Sequence, residues 1–157
     1  MQTLDIVNLI EKNPITKLTK PYQSRLINKI KARFTTDEQQ LFLASFYCYL
    51  NYKKDDYPVD LDNVWEWMGF SEKSKAKRTL AKNFAEPEDY KISEENKNQE
   101  KHGGHNKEQI LMTIKTFKKL CMKANTKKSN EIHDYYLKLE EILHETLDEE
   151  SKEPLRL

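Results

Sequence analysis

Glycine and proline are scarce in this sequence, with three glycines (Gly69, Gly103 and Gly104) and five prolines among 157 residues. That excludes the turn-rich chain of a β-sandwich, a glycine-rich phosphate loop, and a collagen-like or disordered chain. There are two cysteines, Cys48 and Cys121, both inside apolar helical patterns. They fit a reducing compartment and not a disulfide framework. No apolar run reaches the roughly 18 residues of a membrane span. The opening MQTLDIVNLIEKN carries acids and lacks the basic-then-apolar layout of a secretory signal. An intracellular protein with no membrane partner is expected. Catalytic motifs are missing too: nothing reads as a P-loop, a Rossmann turn or a metalloprotease helix. His102-x-x-His105 has no thiol or carboxylate at a zinc-site spacing. His133 and Asp134 are adjacent on one helix and so do not face each other. The expectation is no enzyme, no cofactor and no metal.

What the chain does have is charge and a helical period. Charged residues make up 34% and apolar residues 37%, enough for one domain that buries roughly 70% of its unfolded surface. The expected class is mainly α (α+β). Net charge is +1, but residues 1–130 hold 24 basic and 17 acidic side chains, whereas residues 131–157 hold 3 and 9. Three stretches contain no acid: Lys12 to Arg33 with seven cations, Lys73 to Lys82 with five, and Lys115 to Lys128 with six. They predict a basic face balanced by an acidic end.

Along the chain, Thr3 is expected to cap a first helix that ends at Asn13-Pro14. Pro21 opens a second helix to about Phe34, with Leu26, Ile27, Ile30 and Phe34 inward. Thr36-x-x-Gln39 reads as a capping box before a third helix, Leu41–Leu50, apolar nearly all round and expected at the buried centre. In residues 60–84, Asp60 or Asp62 caps a short helix holding Val64, Trp65, Trp67 and Met68. Gly69 sits at its end, where a left-handed conformation favours glycine, and Ser71 caps the next helix. Two short helices around a glycine turn have the layout of a helix-turn-helix.

At 100° per residue, Ala76, Thr79 and Leu80 fall on the core side of that second helix. Ser74, Lys75, Arg78 and Lys82 fall on the solvent side, with Lys73 and Lys77 on the flanks. A small, polar, cationic face suits a major groove, where arginine forks onto guanine and lysine or serine meets phosphate. The period then changes. Asp89–Ser93 and Gln109–Ile114 read as strands of a β-hairpin wing, whose polar loop offers Lys101, His102, His105, Asn106 and Lys107 to phosphates or a minor groove. Thr113 caps a helix with Phe117, Leu120 and Cys121 inward and Lys115, Lys118, Lys119 and Lys123 outward. Asn125-Thr126 recaps the chain into a long C-terminal helix with a stripe of Ile132, Tyr136, Leu139 and Leu143, able to pack on the domain or serve a homodimer or viral partner. Asp148 to Pro154 is expected to fray. The nucleic-acid-binding set is therefore Ser71, Lys73, Ser74, Lys75, Lys77, Arg78 and Lys82; the loop residues 101, 102 and 105–107; and Lys118, Lys119, Lys127 and Lys128.

The blocks FYCYLNY (46–52), DLDNVWEWMGFS (60–71), AKRTLAKNF (76–84), HGGHNKEQILMT (102–113) and FKKLCMKANTKKSNEIHDYYLKLEE (117–141) resemble the MSV-type N-terminal domain of large DNA viruses. That domain occurs in poxvirus, iridovirus and mimivirus relatives and is similar to Bro-N, KilA-N and phage antirepressor domains. The resemblance spans about residues 36–145. It implies a viral regulatory protein that binds DNA without catalysis, working in the cytoplasm, viral factory or nucleus of an infected cell. It divides the chain into a helical extension (1–35), a DNA-binding domain (36–147) and an acidic tail (148–157). The Bro-N likeness also admits single-stranded DNA or RNA, with Trp65, Trp67 and Tyr90 as stacking candidates if exposed, although both tryptophans are expected in the core. The alternative expectation is a protein-interaction or dimerisation module with little intrinsic DNA affinity.

Overall fold

The computed structural model describes residues 5–94 and 108–153. It is mainly helical with a small antiparallel sheet, as the composition requires. Two compact units result, one from residues 1–51 and 134–157, the other from residues 52–133. No helix of the described residues is long and apolar enough to cross a membrane.

Unit one begins with α1 (Ile6–Lys12), capped by Asp5, whose carboxylate accepts from the Asn8 amide. Thr3, the expected cap, lies outside the described residues. In α2 (Lys20–Arg33), Leu26 and Ile30 are buried a helical turn apart, and Phe34 follows just past its end. The expected capping box opens α3 (Asp37–Phe46), with Thr36 and Gln39 satisfying each other's amides. The third helix departs from expectation in two ways. It stays α-helical to Phe46 and tightens into a 3-10 turn at Tyr47–Asn51, a common way to satisfy the last carbonyls of a helix. It is also not buried all round: Phe42, Leu43 and Phe46 are inside, whereas Leu41 is 56% exposed. Phe42 is the hub of an aromatic cluster, its ring centroid 5.1 Å from Phe46, 5.5 Å from Tyr135 and 6.3 Å from Tyr136. Such contacts add about 0.5–1.5 kcal/mol each beyond area burial.

The long helix α7 (Lys127–Ser151) starts in unit two and continues in unit one from Asp134. Its acidic end does not fray: the helix persists to Ser151 because α2 holds it. Arg25, Lys29 and Arg33 recur every four residues on α2, and Glu141, Glu145 and Glu149 do so on α7. They pair in antiparallel order, Arg25 with Glu149, Lys29 with Glu145 and Glu149, and Arg33 with Glu141 and Glu145. The Thr19 amide donates to Glu150 (3.1 Å) and the Tyr22 hydroxyl to Glu153 (2.8 Å). Ile132, Tyr136, Leu139 and Leu143 are all buried, so of the two uses expected for this stripe the fold takes the first, packing within the chain.

Unit two is built around a three-stranded sheet of order β1-β3-β2. The hairpin strands are β2 (Tyr90–Glu94) and β3 (Glu108–Met112), paired Tyr90 to Met112 through Glu94 to Glu108. The second strand stops at Met112, two residues short of expectation, because Thr113 caps α6 (Ile114–Ala124). A short strand, β1 (Val59–Asp60), absent from the sequence reading, adds to the other edge of β3. Asp60 then caps α4 (Leu61–Val64), a single helical turn. Trp65 and Trp67, expected inside that helix, lie beyond it. The next helix, α5 (Lys73–Asn83), buries Ala76 and Leu80 and packs beside α6.

Candidate nucleic-acid interface

The turn between α4 and α5 is fixed by a backbone conformation and a close approach. Gly69 has φ +94°, in the left-handed region. A Cβ placed there would lie 2.7 Å from Thr126 Oγ1. Thr126, at the α6–α7 junction, donates its hydroxyl to the Met68 carbonyl and accepts the Ser129 amide. Asn125 beside it takes the left-handed conformation (φ 48°) that ends α6. Both partners of this lock belong to unit two.

Ser71 does not cap α5. The N-cap is Glu72, in extended conformation and without a side-chain cap bond, and its carboxylate accepts the Ser74 hydroxyl at 3.1 Å. The solvent side of α5 is the one the helical period dictates: Ser74, Lys75, Arg78 and Lys82 are exposed, while Lys73, Lys77 and Thr79 are half-buried. The flanking cations are engaged by carboxylates, Lys73 by Asp62 and Lys77 by Glu108. Among the described residues no ion pair engages Lys75, Arg78 or Lys82.

The remaining expected site residues distribute as follows. Lys118 is half-buried and Lys119 exposed on α6. Lys127 is exposed at the start of α7, and Lys128 Nζ sits 5.4 Å from the centroid of the half-buried Trp67 ring. This brings the α7 start to the turn ahead of α5. Lys101, His102, His105, Asn106 and Lys107 lie outside the described residues. Tyr90 is 7% exposed and its hydroxyl pKa is raised by burial, so it offers no ring to a base. The cluster from Lys12 to Arg33 belongs to unit one, where its arginines and Lys29 meet the α7 glutamates. Lys115 and Lys123, not in the expected set, are exposed on α6. The helical period already turned both outward, at a spacing of four from Lys119.

Residues 74–143 match the family model of the MSV199 domain, a viral domain family. The match starts within α5 and ends in α7, a narrower span than the 36–145 of the sequence resemblance. No curated protein and no solved structure matches the chain significantly.

Proposed function

We propose that this is a viral DNA-binding regulatory protein, akin to the Bro-N and KilA-N domains, that acts on transcription or replication in the infected cell. In this reading α4 and α5 form a compact helix-turn-helix and the β2–β3 hairpin its wing. One observation carries it: the exposed side of α5 presents Ser74, Lys75, Arg78 and Lys82 together, with no acid in the helix. Arg78 reads guanine edges in the major groove, and Lys75 and Lys82 neutralise phosphates on either side. The match of residues 74–143 to a viral domain family supports the viral part of the reading.

The test is a salt-dependent titration of labelled duplex DNA. Arg78→Ala with Lys82→Ala weakens binding and lowers the log–log salt slope by roughly 1–2. A folded double mutant with an unchanged slope removes α5 from the interface. The competing reading, a protein-interaction module, is favoured by exposed Leu41 and Leu137 in unit one. Under it, DNA affinity is weak and indifferent to Arg78.

A further inference from the structure

Unit two also carries exposed cations on α6, the helix packed beside α5. Over their combined length α5 has five cations and α6 has four, and neither contains an acid. On α6, Lys115, Lys119 and Lys123 are all exposed and stand four residues apart. Each step rises about 6 Å and turns about 40°, so the three ammonium groups form one slanted row along the helix. No ion pair among the described residues engages any of them. Among the described residues the row thus has no counter-charge.

The same two helices have almost nothing for a base to stack on. α5 contains no aromatic residue, and α6 contains Phe117, which is fully buried. Trp67 and Phe70 in the preceding turn and Phe84 at the C-cap of α5 are all half-buried, and Trp67 carries the Lys128 ammonium over its ring. Sequence-tolerant proteins for single strands combine a basic groove with exposed aromatic platforms, each worth about 1–3 kcal/mol per base. On α5 and α6 the charge is present and an exposed platform is not. A duplex keeps its bases stacked internally and presents a denser line of phosphates, so it needs only the charge.

We infer that unit two takes double-stranded rather than single-stranded DNA, and that the α6 row of Lys115, Lys119 and Lys123 lies on its phosphate backbone. This rests on the DNA-binding reading above and adds to it a strand form and three residues. Lysine suits the task, being a point charge on a flexible stem that follows a backbone without demanding a fixed geometry.

The experiment is fluorescence anisotropy of the full chain with a labelled duplex and with either of its strands alone, over a series of salt concentrations. The duplex binds about tenfold tighter than a single strand near 0.1 M salt. The triple variant Lys115→Gln, Lys119→Gln, Lys123→Gln lowers the duplex slope by about 2–3, close to one per phosphate lost. A control with the same charge change in unit one, Lys12→Gln, Lys17→Gln, Lys31→Gln, leaves that slope at the wild-type value. Equal or tighter binding of the single strand overturns the duplex assignment while leaving DNA binding intact. A wild-type slope in the folded α6 triple, or an equal fall in the control, overturns the backbone row. Absence of binding to both forms overturns the DNA-binding reading itself.

Discussion

At the residue scale, the telling positions are those where one atom more or less should shift stability in a known direction. Gly69 is one, since a methyl group would meet both a left-handed backbone and the Thr126 hydroxyl. Gly69→Ala is expected to cost roughly 1–3 kcal/mol, read as a lower midpoint in urea. Tyr47 is another: its ring is fully buried and its hydroxyl has no hydrogen-bond partner among the described residues. Burial drives its pKa up. Tyr47→Phe should therefore leave stability unchanged or raise it by about 1 kcal/mol, and a clear loss would mean the hydroxyl is satisfied. The cysteines divide in the same way. Burial pushes the Cys121 thiol up to about 12, and raises the half-buried Cys48 thiol as well. The thiolate is the reactive form, so at pH 8 a disulfide reagent should label Cys48 well before Cys121. In denaturant the two should react alike. The sequence placed both cysteines in apolar patterns, but which one is sealed depends on neighbours from other elements.

At the element scale, periodicity was a good guide to faces and a poor one to ends. The α5 face followed from a 100° step because Ala76 and Leu80 are its only two buried residues. The misplaced cap at Ser71 and the shortened α4 show that single cap signals lose to the turn between them. The α2–α7 ladder was within reach of the sequence, as matched rows of cations and glutamates at four-residue spacing, yet their pairing order needed the antiparallel packing. Exposed pairs of this kind each contribute little and are screened by salt. Glu149 has its pKa lowered by the hydrogen bond from Lys29, then by the charges of Lys29 and Arg25. A depressed carboxylate stabilises above its ordinary value of 4.5 and loses that contribution as pH falls through the lower, folded value. The last turns of α7 should thus lose hydrogen-exchange protection, corrected for intrinsic rate, as pH drops below 4.5 or salt rises. Protection that ignores both would sink the ladder as the reason the helix end is ordered.

For the whole molecule, the charge asymmetry of the sequence resolves into a different pattern from a basic body and an acidic tail. Unit two holds 17 basic and 14 acidic side chains, and unit one 10 and 12. A DNA duplex that binds only the folded chain should raise its thermal midpoint. At about 100 times Kd the gain is about 2.7 kcal/mol, and a midpoint indifferent to duplex would argue against binding. The sequence by itself determined the mainly helical class, the hairpin, the solvent face of α5 and the caps at Thr36 and Thr113. These are local, set by spacing and by side chains bonding their own backbone within a few residues. Tertiary structure alone decided that β1 joins the sheet, that Lys73 and Lys77 are occupied by Asp62 and Glu108, and that Arg25, Lys29 and Arg33 of the first basic cluster pair with α7. Each of those joins residues from 11 to 124 positions apart. A periodicity has no reach over such distances, because which distant carboxylate meets a given lysine is fixed by how the elements pack.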